Sequence, residues 1–183
     1  MKTHIEDLPE GTEKNLKELA AYLRKFTVLP KVPLFDMTSF YNPQYEEDDV
    51  GVCATAACAV GHYAIMRGWD ASENGAKPKN PSKEYLAEYT GMHGDLKRMS
   101  WCDFCTEEIG VEAISDDTSV FDWLFGSDWD EVDNTPTGAA KRIDYFLEFG
   151  VPEKFIDLGG DSKACEAYKE TLEKYTPTVG EAK

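Results

Sequence analysis

Between Met99 and Ala140 the chain carries no lysine and no arginine, within a sequence of 19 basic and 35 acidic residues and a formal charge of −16. So negative a balance argues against direct binding of nucleic acid or of anionic membranes, which it would repel. It favours basic partners, or simple solubility. Long apolar runs are also missing. No stretch reaches the roughly 20 residues that a bilayer requires, and the opening MKTHIEDLPEG lacks the apolar segment of a secretory leader. Five cysteines make an odd number, and they are not spaced as a compact disulfide scaffold. A reduced, cytoplasmic protein is therefore expected. There is no glycine-rich phosphate loop, no His-Glu-x-x-His and no Gly-x-Ser-x-Gly, so a non-catalytic role is expected. Alternating strand patterns and internal repeats are absent as well.

What is present points to one folded all-α domain. With 183 residues, 42% hydrophobic and 12% aromatic, the chain has the volume for a single core. Residues 1–11 and 176–183 read as flexible tails. The most apolar stretch, Val52 to Met66 (VCATAACAVGHYAIM), predicts a central helix over about residues 55–67, capped by Thr55 and ended by Gly68. Leu16, Leu19, Ala20, Leu23 and Phe26 repeat as one face of a helix opened by Thr12. Residues 28–50 read as a connector and 70–80 as a turn-rich loop. Asn80-Pro81 predicts a helix start, as do Ser100 with Asp103 and Thr135-Pro136, while Gly110, Gly126 and Gly150 predict stops. A last helix is expected from Asp161 to about Tyr175.

The acidic tract holds eleven carboxylates, from Asp103 to Asp133, interleaved with Trp101, Phe104, Phe121, Trp123, Phe125 and Trp129. Two readings follow. Acids and aromatics together can dock a basic protein face, or mimic a nucleic-acid backbone before its binding protein. Alternatively the aromatics are core and the acids solvate the outside. For a docking face the candidates are Asp122, Trp123, Asp128, Trp129, Asp130, Glu131 and Asp133, with Arg142 as an anion or internal carboxylate contact. For a small ligand such as a nucleotide, the available cations are Arg67, Lys97, Arg98 and Arg142. A calcium loop starting at Asp128 fails, because Val132, Asp133 and Ala139 occupy the positions of an oxygen ligand, the glycine and the bidentate glutamate.

Sulfur offers two further options. Cys58 and His62 lie four apart, on one helix face. With Cys102-x-x-Cys105 they would complete a Cys₃His zinc site. In an enzyme, Cys58 in the first turn of its helix would be the nucleophile and His62 or His93 the base. Cys53 and Cys58, five apart, point about 140° away from each other on a helix.

The ordered set Cys53-x-Thr55-x-x-Cys58-x-x-Gly61, Trp123-Leu-Phe-Gly126, Trp129, Asn134-Thr-Pro136 and Ala139-Ala-x-Arg142-Ile143 resembles an uncharacterised group of small phage and prophage proteins. The resemblance spans roughly residues 34–152, and Ala54 stands where that group often has glycine. It brings no activity to carry over. It implies an accessory gene product of the kind that binds and blocks host factors. The expectation is thus an acidic binding protein, its partner a basic host protein or a small ligand.

Overall fold

The computed structural model describes residues 4–26, 34–35, 56–91, 96–113 and 119–177. Along them run helix α1 (Thr12–Arg24), two-residue strands β1 (Leu34–Phe35) and β2 (Ala56–Ala57), helix α2 (Ala59–Met66), and strands β3 (Trp69–Ser72) and β4 (Gly75–Pro78). Next come α3 (Lys83–Tyr89), α4 (Trp101–Phe104), which continues into a π turn at Cys105–Ile109, and α5 (Ser119–Phe125). A 3₁₀ turn at Ser127–Trp129 leads to α6 (Asp130–Asp133), α7 (Pro136–Phe149), α8 (Glu153–Asp157) and α9 (Ser162–Lys174).

The fold is mainly helical, and its frame is the pairing of α1 with α7. Helix α1 buries Leu16, Leu19, Ala20 and Leu23, the stripe that its periodicity predicts. Helix α7 buries Ala139, Ala140, Ile143 and Phe146. Arg24 on the first helix pairs with the buried Asp144 on the second. The ends of α7 follow the expected chemistry. The Thr135 hydroxyl accepts the Gly138 N–H at 2.9 Å, Pro136 opens the helix, and Gly150 closes it with φ 76°. On its other sides α7 meets α5 and α9.

Several boundaries differ from expectation. The central helix starts at Ala59 and not near residue 55, because Ala56 and Ala57 pair in parallel with Leu34 and Phe35. Cys58 is thereby its N-cap residue; the proposed cap Thr55 lies outside the described residues. Gly68, φ 80°, follows the helix as predicted. Thr12 opens α1 as expected, after Gly11, whereas Ser82 and not Asn80 caps α3, its hydroxyl accepting the Tyr85 N–H. The amino-terminal stretch assigned to a tail includes a 3₁₀ turn at Ile5–Asp7, with Ile5 and Leu8 packed against the core.

The largest correction to an all-α fold is at residues 69–78. Here β3 and β4 form an antiparallel hairpin across Glu73-Asn74, with Ser72 opposite Gly75 and Trp69 opposite Pro78. Ala76 then exchanges both backbone hydrogen bonds with Met99, at 3.0 and 2.8 Å. Gly75 has φ 123°, and a Cβ there would stand 2.0 Å from the Met99 carbonyl oxygen. Gly75→Ala is expected to cost about 2–3 kcal/mol, read as a lower urea midpoint with unchanged slope. Among the described residues no helix is long and apolar enough to cross a membrane.

Candidate functional site

The acidic and aromatic tract from residue 119 is built from short pieces, α5, the 3₁₀ turn and α6, with extended backbone at Gly126 between the first and second. Helix α5 packs on α7, and α6 packs on α9. This arrangement turns the tryptophans inward. Trp123 and Trp129 are both fully buried, which removes them as surface anchors and corrects the docking set at those two positions. Trp123 is the hub of the cluster, with ring centroids 5.0 Å from Phe155, 5.4 Å from both Tyr145 and Tyr168, and 5.5 Å from Trp129. Its indole N–H donates to the Arg142 carbonyl at 3.1 Å, and that of Trp129 donates to the Asp122 carbonyl at 3.1 Å. The cost of burying two indole donors is thus met.

Arg142 is also fully buried, its guanidinium 4.6 Å from the Trp129 ring centroid. Such a stack suits a planar cation. Burial pulls the Arg142 pKa down to about 10 from an ordinary 12.5, against the opposing pull of Asp133 and Cys165. Arg142 is therefore an internal contact and does not reach an external anion. Beside it, burial chiefly, with Asp128 adding, pushes the Cys165 thiol up to about 12.

Most of the tract's carboxylates hold local structure together. Asp133 accepts from the Thr135 hydroxyl and sits where a Cβ on Gly138 would fall. Asp130 accepts from the Asn134 amide, and Asp128 from the Ser162 hydroxyl at 3.1 Å. Asp122 is half-buried beside Gly160. Of the proposed docking residues, Glu131 alone is exposed. Elsewhere in the tract Asp103, Glu107 and Glu112 are exposed on or just after α4 and its π turn. Among the described residues no lysine or arginine pairs with Asp103, Glu107 or Glu131. The partnerships of Ser162 and Cys165 with this tract were not legible in the sequence. They come from a helix packed back across the chain, and no local spacing announces them.

The sulfur residues are only partly brought together. Cys58 and Cys102 both lie close enough to Cys105 to raise its pKa further. His62, by contrast, is buried among Tyr22, Phe26 and Phe35, stacked on Phe35 at 5.9 Å and 3.5 Å from the Tyr22 hydroxyl through Nδ1. Its link to Cys58 is the ordinary helical one, backbone N–H to carbonyl at 2.9 Å. Among the described residues no group of three or more His, Cys, Asp or Glu side chains is arranged to hold a metal ion. The Cys₃His set of Cys58, His62, Cys102 and Cys105 is thus not assembled. Cys53 and His93 lie outside the described residues.

Three of the four cations proposed for a nucleotide are already paired or internal. Arg67 pairs with Glu18 at 3.3 Å and Arg98 with Asp70 at 2.9 Å, while Arg142 is internal. No family model, curated protein or solved structure matches the chain.

Proposed function

We propose that the chain is a non-catalytic, acidic accessory protein of phage type, which binds and blocks a basic protein surface of its host. The observation that carries this reading is the set of outward carboxylates, Asp103, Glu107 and Glu131, without cationic neighbours among the described residues. A carboxylate already paired with a cation gains little from a second; one held only by a hydroxyl, as Asp103 is by Ser100 and Glu107 by Tyr89, keeps its charge for a partner and steers its approach. The phage assignment rests on the motif resemblance. With the tryptophans buried, the contact is electrostatic: fast to form, strongly salt-dependent, and a fit for a lysine- or arginine-rich surface.

The test is capture from a bacterial lysate with the immobilised chain and with a variant carrying Asp103→Lys, Glu107→Lys and Glu131→Lys. Basic proteins are expected on the native chain at low salt. They should be released as the Debye length shrinks from about 10 Å at 0.1 M to about 3 Å at 1 M, and they should be lost from the variant. Retention that ignores salt, or equal retention by the variant, would sink the reading.

A further inference from the structure

Two thiols stand one helical turn apart at different depths. Cys102, the second residue of α4, is half-buried, whereas Cys105, which opens the π turn, has no exposure. Both are free thiols. Cys105 has helical dihedrals (φ −61°, ψ −44°), and its N–H donates to the Cys102 and Trp101 carbonyls. An i, i+3 pair in such geometry has its α-carbons about 5 Å apart, within the roughly 4.4–6.8 Å that a disulfide spans.

The backbone around the pair is held on both sides. The Trp101 indole donates to the Ser72 carbonyl at 3.0 Å, fixing the start of α4 to the hairpin. On the far side the Cys105 carbonyl accepts from both Gly110 and Val111, at 2.9 and 3.0 Å. π turns inside helices recur at functional sites. Burial, with Cys58 and Cys102 adding, holds the Cys105 thiol well above the ordinary range. It therefore waits protonated while solvent reaches Cys102.

We propose that Cys102 and Cys105 form a redox-active dithiol that reduces disulfides carried by cationic molecules; the sulfur chemistry does not depend on the binding reading, while its preference for cations draws on the same Asp103 and Glu107. Cys102 is the attacking sulfur because it is the one that solvent reaches. As a thiolate it attacks one sulfur of the incoming disulfide; that S–S bond breaks, and the departing thiolate takes up a proton. Cys105 then attacks the Cys102 sulfur of the mixed disulfide; the bond from Cys102 to the remaining substrate sulfur breaks, the Cys105 proton passes to that departing sulfur, and the second thiol leaves. One external disulfide becomes two thiols, and the dithiol becomes the Cys102–Cys105 disulfide. The preference for cations follows from Asp103, Glu107 and Glu112, exposed on or just after the same helical segment, in a stretch with no lysine or arginine.

Trypsin makes the test direct, because the peptide Met99–Lys141 contains Cys102 and Cys105 and no other cysteine. The reduced full-length protein is treated with cystamine, a dicationic disulfide, or with oxidised glutathione, which is anionic. Cystamine is expected to leave this peptide two hydrogens lighter and to release two cysteamines per chain, at least about tenfold faster than glutathione at low salt, with the gap narrowing as salt rises. Cys105→Ala should trap one cysteamine on Cys102, and Cys102→Ser should leave this peptide unreacted while folded. Limited alkylation of the native wild-type chain with iodoacetamide, which needs no substitution to fold, should label Cys102 before Cys58, Cys105 and Cys165, the three buried cysteines. A disulfide joining this peptide to the one bearing Cys58, first labelling at Cys105, a mixed disulfide that persists in the wild type, or equal rates for the two reagents would each overturn the proposal.

Discussion

Trp123→Ala is expected to lower stability by about 3–5 kcal/mol, enough to remove a large share of what a domain of this size possesses. The side chain is fully buried and its ring meets Trp129, Tyr145, Phe155 and Tyr168, so α5, the 3₁₀ turn, α7, α8 and α9 all lose a neighbour together. No single side chain can fill the space from one direction, and the cavity term adds to the lost transfer energy. Trp123→Phe keeps most of the contact and gives up the N–H donated to the Arg142 carbonyl. Its cost is expected nearer 1–2 kcal/mol. Urea unfolding followed by circular dichroism checks both. The same variants separate core from contact surface: below its melting temperature Trp123→Ala should retain any charge-steered partner. Loss of that partner with stability intact would return Trp123 to the surface.

The stops and starts legible in the sequence are those set by local chemistry. Thr135-Pro136 and Gly150 bracket α7, Asp161 caps α9 through the Lys163 and Ala164 N–H groups, and Ser100 caps α4. These devices act within three or four residues, so a sequence displays them whole. The hairpin was not legible because WDAS alternates apolar with polar over only four residues and GAKP does not alternate at all. It is held by pairing, including the bridge from Ala76 to Met99, which lies far along the chain. The start of α2 was obscured by the uniformity of residues 52–66, where a run apolar on every face has no period to mark its first turn. The tryptophans illustrate the same limit. An aromatic beside an aspartate points in or out according to the helix beneath it, and between residues 119 and 133 the extended backbone at Gly126 interrupts the helical run. What remained readable of the candidate site was its charge, since missing lysines and arginines need no geometry to be counted. The closeness of Cys58, Cys102 and Cys105 depends on how α2 and α4 meet, and spacing alone could only pose it as a question.

Arg142 supplies the second large effect, and here charge and volume pull apart. Arg142→Ala is expected to cost about 3–5 kcal/mol, because it leaves a cavity under the Trp129 ring and removes a cation that interacts with Asp133. Arg142→Met keeps the length and the contact with the ring while discarding the charge. The fall of the Arg142 pKa from 12.5 to about 10 corresponds to roughly 3 kcal/mol against the charged form in the folded state. Removing that penalty offsets the lost hydrogen bonds, and Asp133 retains the Thr135 hydroxyl. Arg142→Met is therefore expected within about 1 kcal/mol of the wild type at neutral pH. The pH dependence gives the sign. Between about pH 10 and 12.5 the unfolded arginine binds a proton that the folded one has released, so the wild type gains stability from this group as pH rises through that window. The methionine variant lacks the group and lacks the gain, while the tyrosines titrating nearby contribute to both proteins and cancel in the difference. Paired urea titrations at neutral pH and at about pH 11 measure it directly. A difference that stays flat, or a methionine variant as damaged as the alanine one, would mean that the guanidinium is held by hydrogen bonds strong enough to outweigh its desolvation, and that this buried cation is a net stabiliser of the fold.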